Sequence, residues 1–522
     1  MEVNENYKDV PKKCNFEDAL NITGFGKYNF SMLLVCCLLI LAMYIDIFGF
    51  SVVMPSVACD MELTTSQQGL LSAMPLIGVM VSSYAWGLGA DTIGRRTILL
   101  IAMPIGMLLN LAVSISPNYI YLAVFKFLSA SFTSSANAAA FVLLGESVPV
   151  RYRGRFVFLM ASATMYVQFV ICVIALPITG ISFIIDVPWL SMTYRPWRML
   201  LQIISLPGII GVIGVIFLQE SPKFLLSKGK EEAALECLKN IFKWNKGLDK
   251  ECFPVKSIFL EEFEAPNNAN ASFLRKMWNQ TAPLFKPPLL KNSLKLYYIL
   301  LCAYMTSTGY TMWVPTMTNA FFIGEDSTGK TFCEVASTAA TASNTTTTTD
   351  CDNVIKPMTL YAVMCYSGLS GSLNVVLTFV VGPLGKKKTS ILTFSVAIIC
   401  GIVLLFIRIP IMSIVLFYFF LYVQLILGNV NTYIVELNPT YLRAMATCLS
   451  VVVARGFGFI SVQLIARLLA DYCTPMISGY IGLVMSGLLV AFFLPPDKST
   501  KKDDIETIKS ANKINEIERT EL

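Results

Sequence analysis

Twelve runs of roughly 20 mostly apolar residues constrain this chain more than any other feature, because a helix of that length crosses the hydrocarbon core of a bilayer. The runs are Phe30–Met54, Gln68–Trp86, Thr97–Ile115, Tyr119–Leu144, Phe156–Ile178, Trp197–Leu218, Leu294–Thr316, Met358–Val381, Thr389–Ile407, Ile411–Val435, Ala444–Leu469 and Met476–Leu494. They are continuous rather than alternating, which argues against a transmembrane barrel. Only 14% of the 522 residues are charged, where a soluble domain carries about a quarter. The expected fold class is an all-α membrane protein with twelve transmembrane helices. An acid-containing segment precedes the first run, and that run is too long for the core of a cleaved leader, so none is expected.

The net charge of +6 does not point to nucleic acid, because the cations alternate between loops. Lys12, Lys13, Lys27, Arg95, Arg96, Arg151, Arg153, Arg155 and Lys386 to Lys388 fall on one side, and Asp60, Glu62, Glu325, Asp326 and Asp471 on the other. The positive-inside rule then puts both ends in the cytoplasm, with lipid as the surrounding partner. The division expected is a cytoplasmic N-terminus (1–29), a six-helix half (30–218), a cytoplasmic linker (219–293), a second half (294–494) and a cytoplasmic tail (495–522). Within the linker, Glu231–Trp244 has apolar residues at helical spacing and Glu261–Asn270 reads as flexible chain. Fourteen cysteines without zinc spacing and the absence of histidine give no metal site and no cofactor. No nucleotide loop or nucleophile–base pair is present, so the chain is not expected to be an enzyme. Any proton coupling has to use a carboxylate.

Two markers recur. Gly87-Leu88-Gly89-Ala90-Asp91-Thr92-Ile93-Gly94-Arg95-Arg96 lies between spans two and three, and Gly382-Pro383-Leu384-Gly385-Lys386-Lys387-Lys388 between spans eight and nine. Glu146-x-x-Pro149-x-x-x-Arg153 follows span four; Glu436-x-x-Pro439-x-x-x-Arg443 follows span ten, 290 residues later. The halves are therefore parallel repeats, an arrangement in which the solute site lies between them near the midplane.

The charged turns suit a cytoplasmic gate built from Gly87, Asp91, Gly94, Arg95, Arg96, Glu146, Arg153, Arg155, Glu220, Glu436 and Arg443, with Arg153 and Arg155 as partners for Asp91. Fixing topology is the plainer role for the same charges. Asp46, with Tyr44 beside it, is an acid inside the first span and hence a candidate for coupling or for meeting a cation. A buried pair with Lys126 is its structural alternative. Arg455 and Arg467 lie in span eleven, where snorkelling is the plain reading and anion binding the functional one. Tyr166, Gln168, Tyr304, Tyr310, Trp313, Asn374, Gln424, Asn429 and Asn431 supply amides and rings for a small organic solute, or hydrogen bonds between helices. The loop 319–356 faces away from the cytoplasm, so Asn344 of Asn344-Thr345-Thr346 is a glycosylation candidate, with a Cys333–Cys351 disulfide enclosing it.

Gly87–Arg96 resembles the cytoplasmic signature of the major facilitator superfamily. Gln219-Glu220-Ser221-Pro222-Lys223-Phe224-Leu225 is similar to the sequence ending span six in sugar and organic-ion transporters of that family. Pro55-Ser56 with Asp60, the run Gly69–Arg96, and Val435–Ala446 look most like the synaptic-vesicle glycoprotein and related-protein group, especially its insect-type members. The resemblance implies alternating access and residence in a vesicle or plasma membrane. The function expected is secondary transport of a small organic ion, with a proton or other ion coupled to it. The second reading, from another class, is a vesicle trafficking protein whose tail binds cytoplasmic partners.

Overall fold

The computed structural model describes residues 13–190, 192–260, 282–287, 289–323, 329–342, 355–438 and 440–495. Asn344, Cys351, Glu261–Asn270 and the tail lie outside them, as do the side chains of Glu436 and Arg443. The first half holds α2 (Lys27–Asp60), α3 (Thr65–Thr92), α4 (Arg95–Ser114), α5 (Tyr119–Thr133) with α6 (Ser135–Ser147), α7 (Val150–Ala163) with α8 (Val167–Ala175), and α9 (Pro196–Ile203) with α10 (Leu206–Phe217). The second holds α13 (Leu290–Ile323), α15 (Pro357–Leu384), α16 (Lys386–Phe406), α17 (Pro410–Leu421) with α18 (Ile426–Leu437), α19 (Thr440–Leu468) and α20 (Cys473–Phe492).

Among the described residues, eleven helices are long and apolar enough to cross a membrane. The twelfth position is α13, whose 34 residues are interrupted by Tyr304, Ser307, Thr308 and Thr311. That spacing puts all four on one face, and they line a cavity. Leu108, Phe217, Phe379, Phe406 and Leu489 are exposed, a surface suited to lipid tails rather than water.

Four spans are not the single helices expected. Span four breaks at Ser134, span five at a 3₁₀ turn over Thr164–Tyr166, span six at Ile204–Ser205, and span ten at a 3₁₀ turn over Tyr422–Leu425. Ser134 and Gln424 are separated by the same 290 residues as the Glu146 and Glu436 motifs. Broken backbone at membrane depth survives only where protein or a cavity satisfies it. Thr164, Met165 and Gln424 line the cavity, so two of the breaks are at that place.

The glycines of the two recurring turns have a shared cause. Gly94 and Gly385 precede α4 and α16 with φ of 121° and 87°, a region that L side chains rarely adopt. At Gly94 a Cβ would also lie 2.6 Å from Glu220 Oε2.

Beneath the first half sits a small layer, on what is here termed the linker face. Strand β1 (Lys13–Asn15) pairs in parallel with β2 (Ser257–Phe259), and α1 (Phe16–Ile22) packs with α12 (Glu231–Lys246) around Phe16, Leu20, Leu238, Phe242 and Ile258. The N-terminal segment and the linker therefore form one unit rather than two. Asn245 fastens α12 to the start of α2: its Nδ2 donates to Asn29 Oδ1 (2.8 Å) and its Oδ1 accepts from Tyr28 N (3.1 Å). Glu231 Oε1 accepts from Ile258 N (3.0 Å) and Ser257 Oγ (2.8 Å). Those two bonds, the backbone one first, hold the Glu231 carboxyl below the usual carboxylate range. A lowered folded value means the bonds stabilise the β2 strand above the unfolded pKa of about 4.3 and fail as pH falls through the folded value. Exchange of the Ile258 amide should thus stay slow from neutral pH down to the carboxylate range and quicken below it. A rate that tracks only intrinsic chemistry across that range would show the cap to be absent.

On the opposite face, α14 (Phe332–Ala342) is tied to α20 by a Cys333–Cys473 disulfide, with Cα atoms 5.5 Å apart. This corrects the Cys333–Cys351 pairing expected from proximity in sequence. Phe332 packs on Phe321 and Phe417, which seats the start of α14 against the second half and brings Cys333 to the first residue of α20. Cys59, at the same end of α2, is also disulfide-bonded.

Candidate functional site

A cavity of about 90 Å³ lies between the halves. The first half contributes Tyr44 and Phe48 of α2, with Thr164, Met165 and Gln168 at the break in span five. The second contributes the polar face of α13, Tyr366, Ser367 and Ser370 of α15, Gln424 at the break in span ten, and Arg455 of α19. Each of these residues sits near the middle of its span, so the cavity is at mid-membrane depth.

Hydrogen bonds join the halves at this level and towards the loop face. Gln168 Nε2 donates to Thr311 O (3.2 Å), Ser367 Oγ donates to Met165 O (2.7 Å) and accepts from Phe169 N (3.1 Å), and Tyr166 OH meets Ser372 Oγ (3.3 Å). Nearer the loop face, a Cβ on Gly69 would clash with the Ala466 methyl, so α3 and α19 touch there through their smallest residues. Towards the linker face, Gly145, Gly154 and Gly428 look onto open space.

Asp46 does not reach this cavity. It lies two residues from both Tyr44 and Phe48, about 200° around the helix, and so points into the first half. There its Oδ1 accepts from Lys126 Nζ (2.6 Å), and its Oδ2 accepts from Ser129 Oγ (2.7 Å) and Thr133 Oγ1 (2.9 Å). Lys126 Nζ also donates to Asn110 Oδ1 (3.3 Å), and Asn110 Nδ2 to Ser205 Oγ (2.9 Å). The acid is thus the carboxylate of a buried ion pair, and its expected encounter with a cationic solute is corrected by this geometry.

The other site candidates divide. Tyr44 and Gln168 line the cavity, and Tyr166 packs against Gly371 across the interface. Tyr310 is buried among Phe417, Phe420 and Tyr480, and Trp313 donates to Val462 O (3.4 Å), so both are core residues of the second half. Asn374 is half-buried outside the cavity wall and Asn431 is exposed. Arg455, given its plain reading as a snorkelling residue, is instead 5% exposed, with its guanidinium 5.4 Å from the centre of the Tyr44 ring. Ser307, Thr308, Thr311, Tyr366, Ser367 and Ser370 were not singled out from sequence, although their helical spacing makes polar stripes on apolar helices.

The charged turn binds helix ends together. Glu220, just past α10, accepts from Arg96 N (2.9 Å), Thr97 N (3.2 Å) and Thr97 Oγ1 (3.3 Å), capping α4. In return Arg96 donates to Val215 O (3.2 Å) and Ile216 O (2.8 Å), capping α10. Arg95 pairs with Glu146 (3.2 Å) and Asp91 (3.1 Å) and covers the Phe224 ring, while Ser221 Oγ bonds Glu146 Oε2. Asp91 therefore has Arg95 rather than Arg153 or Arg155 as its partner. Arg153 pairs with Glu17 of α1 (2.8 Å), Arg155 is exposed, and Gly87 lies within α3. All these contacts lie within the first half and the layer beneath it.

The family model of the Major Facilitator Superfamily matches residues 36–462. The chain belongs to the major facilitator superfamily. It is a multi-pass membrane protein of a family of non-enzymatic carriers. Among curated proteins this major facilitator is similar to SVOPL of Mus musculus, at 30% identity over 51% of this chain and 51% of that protein. It is also similar to synaptic vesicle glycoprotein 2C of Mus musculus, at 24% identity over 58% of this chain and 44% of that one. The chain spans about half the length of these relatives. Among solved structures, the inward open conformation of the xylose transporter XylE from E. coli superposes with a TM-score of 0.63 at 14% identity, covering 92% of this chain and all of that one. That likeness is one of fold.

Proposed function

We propose that this protein is a secondary transporter that carries a small organic ion by alternating access, with the cavity between the halves as its solute site. The observation that carries the reading is that both halves line one cavity at mid-membrane depth. A solute held there is exchanged between faces when the halves rock against each other. The linker face, with Lys27, Arg95, Arg96, Arg151, Arg153 and Arg155, is assigned to the cytoplasm by its positive charge. The coupling ion is assigned as a proton and the pair Asp46–Lys126 as the place it acts, since Asp46 lies on the same helix as the cavity residues Tyr44 and Phe48. In the gate assignment, the Arg95–Glu146 pair and the Glu220 cap on Arg96 and Thr97 make the first half's linker-side ends move as one body.

Gly69 supplies the test. A leucine there has no room beside Ala466, so Gly69→Leu should push α3 from α19 at the loop face and shift the population towards the state closed at the linker face. Spin labels at Arg155→Cys and Asn431→Cys, with exposed Cys252 and Cys365 changed to serine, measure the separation of the halves. Two distance populations are expected, with the shorter one enriched by Gly69→Leu. A single distance unmoved by the substitution favours a regulatory protein that keeps the fold without transport.

A further inference from the structure

We infer that the solute is a small aromatic monocarboxylate, held through its carboxylate by Arg455 and through its ring by Tyr44, Tyr304 and Tyr366. The inference rests on the transporter reading above and adds the sign and shape of the solute. Among the described residues, Arg455 is the one charged residue in the cavity wall. It is 5% exposed, and among the described residues its guanidinium has no hydrogen bond and no carboxylate partner, only the face of Tyr44. An unpaired buried cation is costly at membrane depth and is kept where it serves a function. The nearby Asp46 does not neutralise it, since that carboxylate is engaged by Lys126, Ser129 and Thr133 inside the first half.

The remaining polar groups of the wall are largely spent on the protein itself. Gln168 donates to Thr311 O (3.2 Å), Gln424 to Ser370 Oγ (2.8 Å), and Ser307 to Ala303 O (2.7 Å). A polyhydroxylated neutral solute would have to displace these bonds. Arg455 alone offers a planar fork of unspent N–H donors, which a carboxylate fits through two parallel bonds. A second carboxylate on the solute would find no second cation, and an ammonium would be repelled. Tyr44, Phe48, Tyr304 and Tyr366 give the rest of the wall an aromatic character, suited to a ring.

The experiment is a thermal-unfolding titration of the full chain in detergent with benzoate, benzyl alcohol, benzylamine and glucose. Benzoate should raise the midpoint as its concentration rises and the other three should not. Arg455→Gln should weaken benzoate binding about tenfold to a hundredfold, the range for a hydrogen bond to a charged group. The same variant without ligand should unfold at a higher temperature than the parent, because an unpaired buried charge has gone. An arginine kept only for packing would lower the midpoint on replacement. Failure of benzoate to bind, binding no better than benzyl alcohol, or equal binding to Arg455→Gln overturns the inference. The spin-label distances require no ligand. Two populations without benzoate binding would leave the transporter reading standing and remove this one, whereas a single fixed distance would remove both.

Discussion

Asp46→Leu should destabilise the protein by about 3–5 kcal/mol, the usual cost of removing one partner from a buried ion pair. Lys126 would be left inside the first half with Asn110 Oδ1 at 3.3 Å as its remaining acceptor. The double variant Asp46→Leu with Lys126→Met should recover most of that loss, because both charges leave together and the apolar side chains fill similar space. Ser129 and Thr133 keep carbonyl acceptors at Gly106 (3.2 Å) and Ala130 (3.5 Å), so neither hydroxyl is stranded. Unfolding midpoints of the parent, both single variants and the double form a cycle that isolates the pair. Strictly additive effects would show that the two charges do not act together. Under the coupling assignment, the double variant should also retain solute binding while its uptake loses dependence on a pH gradient. Gradient-driven uptake equal to the parent's would remove the pair from the coupling step.

Cys333→Ser and Cys473→Ser should each cost about 2–4 kcal/mol, as expected for a disulfide closing a long loop. The bridge spans 140 residues and joins α14 to the first residue of α20. Because the two substitutions break one bond, the double variant should unfold at the same midpoint as either single one. Costs that add would mean that the thiols stabilise the fold separately. The Arg155 and Asn431 label distances should stay as in the parent, since the bridge lies on the other face within one half.

The framework was readable because its causes are local and repeated. Runs long enough to cross a bilayer, cations gathered on alternate loops, and glycines at Gly94 and Gly385 all leave marks in a short window of sequence. The helix breaks were not readable. Thr164–Tyr166 and Tyr422–Leu425 contain neither proline nor glycine, so nothing local announces them; packing around a cavity makes them tolerable. Asp46 stood out as an acid in an apolar run, yet its partner lies 80 residues away and sequence alone left pairing and function equally open. Arg455 was misjudged for the opposite reason. Taken as lying near the cytoplasmic end of span eleven it reads as snorkelling, whereas α19 (Thr440–Leu468) puts it at the middle of the helix, on the cavity wall. The bridge of Cys333 was misassigned because nearness in sequence stood in for nearness in space.

The parallel pairing of β1 with β2 also orders events during synthesis. Lys13 sits opposite Ser257, 244 residues further along the chain. At about 5–20 residues per second, a ribosome reaches Ser257 roughly 12–50 s after Lys13. Every helix of the first half is therefore made before the N-terminal strand has anything to pair with. Leu290, where the second half starts, is made only after that partner exists. The strand is in effect a late fastening on an early half, available before the ribosome starts on the other.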